Sequence, residues 1–242
     1  MVAEQQAGPT TVPPLMIRAR AIVLGLLLVP VNAWWVAIME AAKYTGHPTT
    51  YSLYFNCVLW LLALTVFSRL LNRLRPGLGL NRAELLLVYF MLGLGSALAG
   101  HDQAQALLSV ILYPTQRATP ENGWQDLFIR YLHPSLFISQ KTTLKALFEG
   151  HSTLWRPDVF SGLAKPLFWW GLFTMALLGS FASLSVILRR QWADHEKLTF
   201  PLVMLPLEMT QTDGGLWRNP LMWAGFALPF LINLVNNLHQ IY

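Results

Sequence analysis

The chain is poor in charged side chains for its length of 242 residues. Charged residues make up 12% of the sequence, whereas hydrophobic residues make up 54%. An average globular protein has about twice that share of charge, and a soluble fold of this size needs more charge on its surface. The composition excludes an ordinary soluble domain and predicts an all-α, polytopic helical membrane protein whose solvent is the lipid bilayer.

Cysteine is almost absent as well. Cys57 is the single cysteine, so an internal disulfide is excluded. It lies in an apolar run, and we expect it to be a small buried side chain. The net charge is +5, but the basic residues cluster at the ends of apolar runs and form no basic stripe. Membrane topology explains this pattern better than nucleic-acid binding does.

Motifs for catalysis and metal binding are also missing. The sequence contains no H-E-x-x-H, G-x-S-x-G or P-loop motif. His195 and Glu196 are adjacent, as are His101 and Asp102, so on a helix each pair would point to different faces. We therefore predict neither an enzyme nor a metal site, and the sequence indicates no particular cofactor.

Five apolar runs have the length of a membrane-spanning helix. They cover residues 21–39, 53–71, 83–100, 166–188 and 221–238. The predicted organisation is a polar tail at 1–17, three spans within 18–100, an ordered cap at 101–165, and two spans within 166–242. Within the cap, residues 103–113 continue apolar after the third span, and residues 142–148 are predicted to form a short helix.

Lysine and arginine placement predicts the orientation. Basic residues precede the first run and lie in the connections after the second and fourth runs, namely Arg18, Arg20, Arg69, Arg73, Arg75, Arg82, Arg189, Arg190, Lys197 and Arg218. Under the positive-inside rule the amino terminus is cytoplasmic, in a multi-pass protein of the inner (plasma) membrane, and the cap is extracytoplasmic. The first run also resembles a signal peptide cleaved after Ala33. Its apolar continuation to Met39 favours a retained helix.

The connection after the fourth run is unusual. Residues 189–209 pass from two arginines through a short charged stretch into apolar sequence that contains Pro201 and Pro206. Proline lacks a backbone N–H and disfavours helix in the residue before it. Membrane proteins tolerate such backbone only where it is packed in protein or lines a polar cavity.

Several polar side chains occur within or beside the apolar runs, where they are costly without a partner. Asn32 and Glu40 lie in or at the end of the first run, and Ser96 lies in the third. The candidate substrate or ion pathway consists of Glu40, His101, Asp102, Gln105, His195, Glu196, Asn233, Asn236 and Asn237. The alternative is structural: helix ends at the interface, and asparagines that hydrogen-bond between helices.

Four stretches carry a family resemblance. They are W-A-D-H-E-K-L-T-F-P-L-V-M-L-P-L-E-M at 192–209, R-A-E-L-L-L-V-Y-F-M-L-G-L-G-S-A-L-A-G-H at 82–101, L-F-E-G at 147–150 and K-P-L-F-W-W at 165–170. With them the chain resembles the prokaryotic membrane proteins of unknown function grouped as DUF6785/DUF6784, which are distantly similar to oligopeptide transporters. The E-x-L-x-F-P element at 196–201 resembles a similar element in those transporters. Family members have a dozen or so spans, so the chain resembles an amino-terminal portion.

Two functional hypotheses follow. The first is a transporter-like protein that moves small peptides or other polar organic solutes by alternating access. Its cytoplasmic gate or coupling site would contain His195 and Glu196, and its outer mouth Glu40, His101 and Asp102. The second is a non-catalytic accessory or structural subunit of a membrane complex. The expected partners are the bilayer, a polar solute, and a second membrane subunit or another copy of the chain, but no nucleic acid.

Overall fold

The computed structural model describes residues 16–44, 46–150, 152–211 and 214–241, with side chains except at 237 and 239–241. Every regular element in this part of the chain is helical. The α-helices are α1 (Ala19–Ala37), α2 (Phe55–Leu74), α3 (Arg82–Ala99), α4 (Ala106–Arg117), α5 (Trp124–Leu127), α6 (Lys141–Glu149), α7 (Pro157–Arg189), α8 (Pro201–Met209), α9 (Gly215–Arg218) and α10 (Pro220–Ile241). A short 3₁₀ helix covers Ile129–Tyr131.

Four of these helical stretches are long and apolar enough to cross a membrane. They are Ala19–Ala42, Phe55–Leu74, Arg82–Arg117 and Pro157–His195. The fifth predicted span falls in α10, whose described apolar part, Pro220–Asn236, is shorter. The all-α fold of a polytopic membrane protein is thus confirmed, with four such helices among the described residues; the fifth predicted span, 221–238, extends past Asn236, where this described part ends. The predicted tail at 1–17 lies almost wholly outside the described residues.

Three long helices end in wider, π-helical turns. Ile38–Ala42 continues α1, His101–Gln105 follows α3 after Gly100, and Arg190–His195 continues α7. Such turns are rare in proteins overall, and those that occur are often found at functional sites. The first helix runs without interruption through Ala33, the position of the signal-like cleavage pattern.

The chain divides into two compact units, of which the first contains Met1–Gly100 and Phe200–Tyr242. In it α1 and α2 both pack on α3. One part of the core contains Cys57, Val88 and Leu92, which confirms the expected burial of the cysteine. Gly95 lets the helices approach closely, because an added Cβ there would lie 3.0 Å from a methyl carbon of Val29.

The proline-broken segment forms the short helix α8 in this first unit. Pro201 occupies the start of the helix, where its missing N–H costs no hydrogen bond. Pro206 and Met209 are buried, and Met209 packs with Leu61 and Leu85 of α2 and α3. The end of this segment is therefore packed in protein, as its sequence requires.

The second unit contains His101–Thr199. Its core joins α4, α6 and the first turns of α7 through Ile111, Ile138, Leu144, Val159 and Leu163. The predicted helix at 142–148 is present as α6. Beyond Pro166, α7 has no buried residue, as expected of a helix whose sides face lipid.

Candidate functional site

A hydrogen-bonded polar cluster lies inside the apolar bundle of α1, α2 and α3. The Asn32 side-chain N–H donates to Ser96 Oγ at 2.8 Å. The Asn56 amide donates to Asn32 Oδ1 at 2.9 Å and to Ser96 Oγ at 2.8 Å. All three side chains have no exposed surface. We call Asn32, Asn56 and Ser96 the central polar cluster.

The cluster is nearly but not fully satisfied. Ser96 Oγ accepts from both amides and lies 3.2 Å from Cys57 Sγ, while Asn56 Oδ1 is buried without a hydrogen-bond partner. A buried polar atom left unpaired costs about 1–3 kcal/mol. The cluster therefore joins three helices through polar bonds and leaves one buried acceptor unpaired.

The position of Asn32 along α1 sets the depth of this cluster. Arg20 and Glu40 stand at the two ends of the helical stretch Ala19–Ala42, roughly 30 Å apart at 1.5 Å per residue. That distance matches the thickness of the hydrocarbon core. Asn32 lies between them, about 18 Å from the Arg20 end, so the cluster falls within the apolar layer of a membrane.

Glu40 is buried at the second end of α1, in the π-helical turn. Its Oε1 accepts from the backbone N–H of Thr49 at 2.8 Å and from the Thr49 hydroxyl at 2.7 Å. Thr49 packs directly on Gly100, where a Cβ would collide with the Thr49 side chain. Thr49, in the loop between α1 and α2, thus connects the buried carboxylate of Glu40 to the break after α3.

The opposite end of the bundle is held by Arg20 and Glu84. The Arg20 guanidinium donates to both carboxylate oxygens of Glu84, at 3.1 and 2.8 Å, and to the backbone oxygens of Leu78 and Gly79. Glu84 has no exposed surface, whereas the Arg20 side chain is 32% exposed. Glu84 also accepts from the Asn81 N–H in a capping box that starts α3. This network ties α1 to the α2–α3 connection.

The predicted residues of the outer segment occupy the π-helical turn after Gly100. His101 and Asp102 are exposed and Gln105 is half-buried. His101 Nδ1 lies 3.4 Å from Gln105 Oε1, and Gln103 donates to Thr174 Oγ1 of α7 at 3.0 Å. The turn is therefore fixed by side-chain contacts within the second unit.

His195 and Glu196 are exposed at the end of α7. His195 Nδ1 lies 3.2 Å from the Arg190 carbonyl oxygen, and Glu196 Oε1 accepts from the Gln191 side chain at 3.0 Å. The Glu196 N–H also donates to the Gln191 carbonyl at 2.9 Å. These contacts close the π-helical turn at the end of α7.

The predicted asparagines of the last run lie on α10. Asn233 and Asn236 are exposed, and Asn233 donates to the Pro229 carbonyl at 2.8 Å. The side chain of Asn237 lies outside the described residues. Neither of the two described asparagines joins the central polar cluster.

Several of these contacts were not predicted from the sequence. Asn32, Ser96 and Glu40 stand out as polar residues in or beside the apolar runs, but Asn56, Thr49 and Glu84 were not among the candidates. Glu84 had a readable signal, since N-R-A-E at 81–84 has the spacing of a capping box before an apolar run. Asn56 had a weaker signal, an amide at the start of an apolar run. Among the described residues, no group of three histidine, cysteine or acidic side chains could hold a metal ion.

Fold and site together define a polytopic α-helical membrane protein with a polar cluster buried among its helices. The chain belongs to the family of unknown function DUF6785, whose model matches residues 12–242. The resemblance predicted from the sequence is thereby confirmed. No curated protein and no solved structure matches the chain.

Proposed function

We propose that this protein is a transporter-like membrane protein that moves small peptides or other polar organic solutes by alternating access. The observation that carries the proposal is the central polar cluster. Three buried amide and hydroxyl side chains at membrane depth are costly unless they serve binding or helix contact. The unpaired acceptor Asn56 Oδ1 offers a hydrogen bond to a polar solute.

Interrupted helices also support this function. Broken or widened helices near the substrate path are typical of secondary transporters. Here π-helical turns follow α1, α3 and α7, and the proline-broken α8 packs on the bundle. The cluster is closed to solvent in this conformation, as an occluded state of an alternating-access protein would be.

The predicted pathway residues have distinct roles in this proposal. Glu40, held by Thr49 in the first unit, is proposed as an outer-mouth residue, and so are His101 and Asp102 in the second unit. His195 and Glu196 form the inner gate or coupling site, and Asn233 and Asn236 line the path on α10. The protein lies in the inner (plasma) membrane with its amino terminus in the cytoplasm, as the arginine distribution indicates.

Uptake by reconstituted vesicles tests the proposal. Purified protein is incorporated into liposomes, and the entry of radiolabelled dialanine, trialanine and free alanine is followed against empty liposomes. We expect saturable uptake of at least one peptide that an excess of the unlabelled peptide inhibits. Glu196→Gln should alter the rate if Glu196 takes part in coupling. Uptake that matches empty liposomes for polar solutes of every class tested would refute transport.

An accessory role is the second candidate, and α10 favours it. Asn233 and Asn236 are exposed on a helix whose other side chains are mostly apolar and also exposed. Amide side chains on an apolar helix are favourable against another helix, where they hydrogen-bond across the interface. Stoichiometric co-purification with a second membrane subunit, lost in an Asn233→Leu/Asn236→Leu variant, would support this role.

A further inference from the structure

A second polar site lies in the first unit, away from the central polar cluster. A cavity of about 450 Å³ lies between α2, the α2–α3 connection, the start of α3 and the end of α8. This volume is typical of a small-molecule site. The lining residues include Thr65, Ser68, Arg69, Asn72, Arg82 and Gln211.

Two arginines give the cavity its charge. Arg69 donates to the Gln211 carbonyl at 2.9 Å, and Arg82 donates to the Leu207 carbonyl at 3.4 Å. Neither forms an ion pair among the described residues, and no described acidic residue lines the cavity. Two described carboxylates adjacent in sequence to lining residues are engaged by other groups: Glu84 by Arg20, and Glu208 by the Gln211 amide.

Two buried polar atoms of the cavity residues have no partner. Thr65 is 2% exposed, and its hydroxyl makes no hydrogen bond; the Nε of Arg82 is likewise buried and unpaired. Both groups can donate a hydrogen bond. Neither atom has accessible surface, so an oxygen-rich ligand would reach them only as the neighbouring side chains shift, and it would then remove the cost of leaving them unpaired.

We propose that this cavity binds a phosphate group, carried by a lipid headgroup or present as free phosphate. A phosphate monoester near neutral pH carries about 1.5 to 2 negative charges, which the two guanidinium groups can balance. Arginine forks bind such oxygens through paired hydrogen bonds. The positive end of the α3 dipole at Arg82 adds to the attraction. This site goes beyond transport and does not depend on it.

In the proposed site, the residues directly after α8 form part of the cavity wall. The cavity is closed on one side by Thr210 and Gln211, directly after α8. Thr210 is held by hydrogen bonds from its hydroxyl to the Pro206 and Leu207 carbonyls at 2.9 and 3.0 Å. The proline-broken segment thereby supplies one wall of a phosphate site.

Calorimetric titration of the purified protein, in detergent and phosphate-free buffer, tests the proposal. The probes are inorganic phosphate, dioctanoyl phosphatidic acid and, as a lipid without phosphate, dioctanoylglycerol. The variants are Arg69→Gln and Thr65→Val, and the control is Arg73→Gln, an exposed arginine of α2 that does not line the cavity. Thermal unfolding of each variant verifies that it is folded.

We expect at least one phosphate probe to bind the wild-type protein with 1:1 stoichiometry. Arg69→Gln should weaken binding about tenfold and Thr65→Val about fivefold, whereas Arg73→Gln should have no effect. Binding of inorganic phosphate assigns the site to free phosphate, and binding of phosphatidic acid alone assigns it to a lipid headgroup. The proposal is overturned if neither probe binds, if dioctanoylglycerol binds equally well, or if Arg73→Gln weakens binding as much as Arg69→Gln.

Discussion

Single polar residues determine how the three-helix bundle is joined. Asn32, Asn56 and Ser96 come from α1, α2 and α3, and each contacts the other two or shares an acceptor with them. The sequence identified Asn32 and Ser96 because amides and hydroxyls are conspicuous in apolar runs. It could not pair them, because the pairing depends on helix rotation and on the close contact that Gly95 allows.

Removing the shared hydroxyl should destabilise the bundle. Ser96→Ala leaves two buried amide donors without their acceptor, and we expect the free energy of unfolding to fall by about 1 kcal/mol. Chemical unfolding in detergent, followed by tryptophan fluorescence, measures this change. The control is Ser183→Ala on α7, where an exposed hydroxyl donates only to its own helix and the expected loss is near zero. Equal effects of the two substitutions would contradict a special role for the cluster.

The Arg20–Glu84 pair gives a second prediction at this scale. Glu84→Gln removes the buried negative charge that pairs with Arg20 and accepts a hydrogen bond from the Asn81 N–H. Breaking a fully buried pair costs about 3–5 kcal/mol, and because Arg20 is partly exposed we expect about 2 kcal/mol. The same unfolding measurement applies. Glu149→Gln is the matched control, since its pair with Lys145 is 3.8 Å long and exposed. A loss in Glu84→Gln as small as in the control would show that the network contributes little.

At the scale of elements, the sequence predicted the apolar helices well and their ends poorly. The first three predicted runs agree with α1 to α3 within a few residues. The fourth begins at Pro157 and not at 166, because the first turns of α7 pack on α6 through Val159 and Leu163. Apolar length alone cannot separate turns that pack on a neighbouring helix from turns that face lipid. The π-helical turns were also not predictable, since no residue pattern marks them.

The break after α3 requires a glycine at position 100, because a Cβ there would collide with Thr49. Gly100→Ala would place a methyl group against Thr49 and displace its hydrogen bonds to Glu40. We expect a loss of about 1–3 kcal/mol, together with greater access to Glu40 for a carboxyl-modifying carbodiimide. Gly93→Ala in the same helix meets no atom within 4 Å and should be neutral or slightly stabilising. An unchanged or raised stability in Gly100→Ala would disprove the contact.

At the scale of the whole molecule, the positive-inside pattern predicts an orientation that labelling can test. Because Cys57 has no exposed surface, the wild-type protein should react little with a membrane-impermeant maleimide. Arg73→Cys should react only after spheroplasts are lysed, whereas Ser152→Cys, in the predicted external segment, should react in intact spheroplasts. The reverse pattern would place the amino terminus outside.

In the proposed function, the bundle of α1, α2 and α3 carries a polar solute past its buried cluster. The most direct measurement is peptide uptake by vesicles that contain wild-type, Asn56→Leu or Ser183→Ala protein at equal amounts, each verified as folded by its thermal unfolding. We expect saturable uptake for the wild-type and Ser183→Ala proteins, and a rate lower by about tenfold or more for folded Asn56→Leu. Undiminished saturable uptake by Asn56→Leu, or none by the wild-type protein, would contradict this role of the cluster.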